Sequence, residues 1–187
     1  LHLSLRRQRQ MCIRDSVVLV AVHWGDNLET EPSEAEVAVG HAIVDAGADA
    51  VLGTSAHVLQ GVEIYRGRPI VHDAGDLLFE AVRSDFVDAG VFTLALSPRG
   101  VEQLSFTPIG VGFGRSRQYA NERARGAAAR FARQCEALGT RMAVLPEGRC
   151  TLALAPPERA SRLAADAPAL PEPASVSYTH LTLPTKA

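Results

Sequence analysis

Two short apolar runs, at residues 17–22 (VVLVAV) and 50–53 (AVLG), each stop at a polar segment that carries a histidine. The first halts at His23-Trp24-Gly25-Asp26-Asn27 and the second leads into Thr54-Ser55-Ala56-His57. Short continuous apolar runs of this kind read as strands, the first of them rich in β-branched residues. Between them, Ser33 precedes Glu36 by three residues, the pattern of a capping box, and an apolar stripe follows at Ala35, Val39, Ala42, Ile43 and Ala46. Val37, Val44 and Ala48 widen that stripe, so a broadly buried helix is expected, with Gly47 at its end. Strand, helix and strand make a βαβ unit whose two histidine loops share the carboxyl edge of parallel neighbours, where open α/β sheets bind ligands.

Downstream the periodicity changes. Residues 61–65 alternate, Arg66-Gly67-Arg68 turns and Pro69-Ile70-Val71-His72 runs back, which predicts a hairpin. Ala74-Gly75-Asp76-Leu77-Leu78-Phe79 reads as a tight turn into an apolar segment. Phe92, Leu94 and Leu96 alternate with polar or small residues up to Ser97-Pro98-Arg99-Gly100, a turn signature, and residues 101–109 form the return strand. From Tyr119 to Leu138 the spacing predicts a long helix with Ala124, Ala128, Phe131, Cys135 and Leu138 on one face. The Pro/Ala-rich stretch from Pro156 to Pro173 predicts no regular structure.

Composition narrows the class. The 187 residues suit one domain or part of a larger one, and only 5% are aromatic. The formal net charge of −2, with no basic stripe, argues against nucleic acid as a partner. No apolar run approaches the ~20 residues of a membrane span. Cys12, Cys135 and Cys150 have neither CxxC spacing nor a disulfide framework.

Imidazoles and carboxylates gathered at one sheet edge suit a divalent cation. His23 and His57 are the candidate ligands by position, although His23 could instead pack against Trp24. Asp76, after Gly75, either orients a site group or forms the turn, and Asp26 and Asn27 are either polar site residues or loop formers. His72 lies within a strand and reads as a hydrogen-bonded core histidine, and His41 as a structural or surface residue of its helix.

Taken in order, Val22-His23-Trp24-Gly25, the segments 40–53 and 57–70, and Ala74-Gly75-Asp76-Leu77 resemble the carboxyl half of the bacterial capsule-synthesis CapA family, also called the poly-γ-glutamate synthesis family. The resemblance runs from about Val17 to Thr140. It implies the calcineurin-like metallophosphoesterase fold, a four-layer α/β/β/α sandwich, and two divalent ions (Mn, Fe or Zn) that activate water against a phosphoester. His23 and His57 match the family's ligand histidines, and Asp76 stands where an asparagine is usual. The resemblance further implies capsule or polyglutamate synthesis machinery, or its polymer, as partner, and a cell-envelope, extracytoplasmic location.

Departures from the pattern qualify this expectation. Thr54 occupies the position of the first histidine in the family's Gly-His-x-x-His motif, and Asn27 that of a glutamate, with Leu28 after it. The family's amino-half motifs are absent, so at most half a site is expected, and the isolated chain is predicted to be inactive. The alternative is a non-catalytic subunit of a polymer synthesis or export assembly. Residues 1–16 and 175–187 resemble translated adapter sequence at the ends of metagenomic gene fragments. The expected organisation is therefore an adapter-derived or disordered segment at 1–16, the CapA-like domain at 17–155, and a Pro/Ala-rich, adapter-ended tail at 156–187. Because the chain opens on Leu1, its reading frame is expected to continue upstream.

Overall fold

The structure, a computed structural model, describes residues 17–78 and 87–155. Both terminal segments, the Pro/Ala-rich stretch and the end of the apolar run that begins at Leu77 lie outside these residues.

The chain is mixed α/β with two sheets. The first contains β1 (Leu19–His23), β2 (Ala50–Thr54), β3 (Val62–Tyr65) and β4 (Arg68–Val71) in the order β1-β2-β4-β3. β1 and β2 are parallel, as are β2 and β4, whereas β3 and β4 form the expected antiparallel hairpin. In the parallel register His23 stands beside Thr54, so both loops leave the same edge. Helix α1 (Glu34–Asp45) makes the crossover from β1 to β2. Its capping box is closed: the Ser33 hydroxyl accepts from Glu36 N, and Glu36 Oε2 accepts from Ser33 N at 2.7 Å.

One expectation about α1 is corrected. The residues it buries are Glu36, Gly40 and Val44, while Ala35, Val39, Ala42 and Ala46 of the predicted buried stripe are exposed. Gly40 explains the rotation. Without a side chain it lies against Ile70 and the Trp24 ring, drawing the Gly40–Val44 side of the helix onto the sheet.

The second sheet is antiparallel. β5 (Val87–Ser97), β6 (Gly100–Gly112), β9 (Cys150–Ala153) and β8 (Ala143–Val144) lie in the order β5-β6-β9-β8, and β7 (Arg115–Gln118) pairs with the far end of β6. The predicted turn at Ser97-Pro98-Arg99-Gly100 closes the β5–β6 hairpin, with Arg99 N donating to Ser97 Oγ. Helix α2 (Asn121–Ala137) begins two residues after Tyr119, which remains extended and buried. Ala124, Ala128, Phe131 and Cys135 are buried as the spacing predicts.

α2 joins the two sheets. Val62 and Val71 from the first, Leu104 and Phe106 from the second, and Ala128, Phe131 and Cys135 from α2 share one core. Phe106 and Phe131 stack at 3.9 Å between centroids, and Phe92 closes the aromatic group against both. Cys135 Sγ also accepts from Val62 N at 3.3 Å, and Thr140 Oγ1 from Ile64 N at 3.1 Å, so the end of α2 is tied to the edge strand β3.

Candidate functional site at the sheet edge

Three segments meet at the carboxyl edge of β1, β2 and β4, and backbone bonds fix them to one another. Trp24 N donates to Thr54 O at 2.9 Å, and Leu28 N to Ala56 O at 2.8 Å. The Trp24 indole reaches across β2 and donates from Nε1 to the carbonyl of His72 at 2.7 Å. Only glycine at position 53 permits this crossing, because a Cβ there would stand 1.9 Å from His72 O and 2.4 Å from Trp24 Nε1.

Asp73 is the brace of the site, and the sequence reading missed it. It is fully buried just beyond β4. Oδ2 accepts from Ala56 N and Oδ1 from Gly75 N, both at 2.7 Å, so one carboxylate holds the loop of His57 and the turn of Asp76. Burial pushes its carboxyl above the ordinary value, against the pull of these two N–H groups. The available signal was its place immediately after a buried strand in His72-Asp73-Ala74-Gly75-Asp76.

Braced in this way, His57 takes a left-handed backbone, φ 61°, and turns Nδ1 to Asp76 Oδ1 at 2.8 Å. Both side chains are part-exposed, 35% and 22%. An ionised carboxylate can only accept, so His57 Nδ1 is the donor of this pair. His23, at the exposed end of β1, has Nδ1 3.4 Å from Thr54 Oγ1. The edge thus brings His57 and Asp76 into contact, and places His23 with Thr54. Asp26 and Asn27 lie in the exposed loop after Trp24, where Glu29 N closes onto Asp26 O.

These donors suit a divalent cation by type but not by assembly. Among the described residues no group of three or more His, Cys, Asp or Glu side chains is placed to hold an ion. Thr54 contributes a weakly ligating hydroxyl where the resemblance expects an imidazole. The described residues do not make a metal centre of their own.

Behind the edge, the Glu63 carboxylate joins two imidazoles: Oε1 meets His41 Nε2 at 2.6 Å, and Oε2 meets His72 Nε2 at 3.2 Å. His41 also stacks on Tyr65 at 3.7 Å. His72 is fully buried, and desolvation lowers its pKa despite the opposing pull of Glu63. It is the hydrogen-bonded core histidine that its strand position suggested, and His41 is structural.

Comparison with known proteins places this edge. Residues 4–81 match the family described as bacterial capsule synthesis protein PGA_cap. Over this span the chain is similar to CapA-like capsule synthesis proteins. The PGA biosynthesis protein CapA of Bacillus subtilis is 30% identical over 95 residues, 51% of this chain and 25% of that protein. The capsule biosynthesis protein CapA of Bacillus anthracis is 31% identical over 95 residues, 51% of this chain and 23% of its own length. A probable polyglutamine synthesis accessory protein of Mycobacterium tuberculosis is 40% identical over 62 residues, 33% of this chain and 16% of that protein. The chain therefore spans a quarter or less of these CapA-like relatives. The family match contains β1 to β4 and both histidine loops, and it begins within the opening segment that resembles adapter sequence.

Proposed function

We propose that this chain is one part of a longer capsule or poly-γ-glutamate synthesis protein of the cell envelope. In this reading the β1–β2–β4 edge supplies one side of a hydrolase site of the metal-dependent phosphoesterase type. The observation that carries it is the His57–Asp76 pair, braced by buried Asp73 at an edge whose sequence matches the capsule synthesis family. Asp76 orients the His57 ring through Nδ1, and His57 is assigned the proton transfer to or from an attacking water or a leaving group. Two sheets with a helix outside the first support placement in a calcineurin-like sandwich. The described residues do not assemble a metal centre, so in this reading further donors come from the rest of the protein.

The test is turnover of a generic phosphodiester by the full-length protein with added Mn, Fe or Zn. Metal-dependent turnover that falls about 100-fold or more in His57→Ala and clearly in Asp76→Asn is expected, general acid–base groups being worth ~10²–10⁴. Turnover unchanged in His57→Ala sinks the proposal. A second reading, a non-catalytic subunit of a polymer synthesis or export assembly, is favoured by Thr54 beside His23. It gains the field if the full-length protein binds no divalent ion through His23 and His57.

A further inference from the structure

Where α1 packs on the first sheet, two buried side-chain atoms have no hydrogen-bond partner: His72 Nδ1, just past β4, and Glu36 Oε1, in the first turn of α1. Folded proteins leave few buried polar atoms in this state. A third among the described residues, Gln60 Oε1, belongs to an amide whose Nε2 donates to Glu29 O and Glu31 O. The other end of each of the first two side chains is engaged. His72 Nε2 faces Glu63 Oε2 at 3.2 Å, and Glu36 Oε2 accepts from Ser33 N at 2.7 Å in the capping box. An ionised Glu63 can only accept, so Nε2 is the donor of its pair, and on a neutral ring Nδ1 is then an acceptor. Two acceptors, one from the sheet and one from the helix, are thus buried without a donor. A single added proton resolves both: on Nδ1 it makes a cationic donor, for which Glu36 Oε1 is a buried acceptor of opposite charge.

Glu36 also lies under the loop that carries His23. A Cβ on Gly25 would stand 3.1 Å from Glu36 Oε1 and 3.3 Å from Ala56 Cβ, so the carboxylate touches that loop where it meets the loop of His57. Trp24, between His23 and Gly25, donates to His72 O, and its ring lies 6.1 Å from the His72 ring between centroids, 23° from parallel. The charged and titratable groups that face His72 are Glu63 from β3 and Glu36 and His41 from α1. Of these, the two carboxylates favour a charge on His72 and His41 opposes one, while burial, the largest influence, keeps the ring neutral around neutral pH. β2 presents only Gly53 to the His72 backbone.

We propose that His72 and Glu36 form a proton-operated latch beneath the His23 loop. At neutral pH Glu36 caps α1. On acidification His72 takes a proton from solvent at Nδ1, and the Glu36 carboxylate leaves Ser33 N for the imidazolium, withdrawing its support from Gly25. The latch gives the edge a control by pH, and it rests on the hydrolase reading above only for what that edge does.

The test is NMR of the intact chain, following the His72 ring through its titration and the Ser33 amide by hydrogen exchange. Exchange is read as a protection factor, which removes its intrinsic pH dependence. Ser33 protection is expected to fall as His72 takes up its proton, by a factor approaching about ten per pH unit below the midpoint, as one linked proton requires. In His72→Gln that fall should be absent. Glu36→Gln keeps an acceptor for Ser33 N and supplies an amide that can donate to Nδ1, so it should fold, keep its cap and lose the pH response. Protection that stays constant through the His72 titration overturns the proposal, as does a fall that persists in His72→Gln. So does a His72 ring that takes no proton before the fold melts. Because no turnover is measured, failure of the latch leaves the hydrolase reading standing, and a full-length protein that hydrolyses nothing leaves the latch standing.

Discussion

Replacing Gly53 by alanine tests how the histidine edge is assembled. The added methyl would meet His72 O at 1.9 Å and Trp24 Nε1 at 2.4 Å, so the strand and the indole cannot both keep their places. Overpacking of a close-packed interior costs ~1–3 kcal/mol. Breaking the 2.7 Å indole bond adds ~0.5–1.5 kcal/mol. The sum is about 2–4 kcal/mol, which lowers the unfolding midpoint by roughly 10 °C for a domain of this size. Trp24 is the sole tryptophan, so its fluorescence follows both the local change and unfolding. Gly126→Ala is the matched control: on α2 the nearest atom is the flexible Arg130 guanidinium at 3.4 Å, and the change should be neutral or slightly stabilising. A Gly53→Ala protein with the parent's midpoint and emission would refute the crossing of Trp24 over β2.

Three further outcomes follow from the packing and the charges. Phe131→Ala removes the ring stacked on Phe106 in the core shared by both sheets, and should cost ~3–5 kcal/mol in urea unfolding; a loss below about 1 kcal/mol would show that α2 does not join them. Asp73→Ala leaves Ala56 N and Gly75 N without their acceptor, so amide exchange should accelerate at both positions together; acceleration at one alone would break the two-loop brace. His72 has its pKa lowered from 6.5, so below that value the unfolded chain binds a proton that the folded chain does not. Its contribution to stability is therefore full above pH ~6.5 and declines on acidification, with a slope of up to ~1.4 kcal/mol per pH unit. His72→Gln should flatten that part of the stability curve, and an unchanged slope would contradict a neutral, buried His72.

β2, the β3–β4 hairpin and the β5–β6 pair were legible from their hydrophobic pattern, and β1 from its apolar run even though, as the edge strand, it alternates exposed and half-buried residues. Three other features were not. β7 is Arg-Ser-Arg-Gln and exposed throughout, so it has no apolar alternation and is a strand only because it pairs with β6. β8 has two residues, too few to show a period. In α1 the apolar stripe named the wrong side, since contact was decided by the absence of a side chain at Gly40, which a hydrophobic pattern cannot register. At the edge, position after a strand offered His23, His57 and Asp76 as candidates, and the family resemblance selected them. Asp73 escaped because its role lies in accepting two backbone N–H groups, a matter of loop conformation rather than residue spacing.

The tie between α2 and β3 has a consequence for the time order of folding. The β5–β6 hairpin pairs neighbours through a tight turn, whereas Cys135 reaches Val62 and Thr140 reaches Ile64 across more than 70 residues. Contacts between distant parts of a chain form late, after loop closure has been met. The β5–β6 hairpin is thus expected to form before β3 is tied to α2. Pulse-labelled exchange should protect β5 and β6 amides before those of β3, and the reverse order would refute this sequence of events. The same long-range ties would then be among the first lost on unfolding, leaving the β5–β6 hairpin as the last paired element.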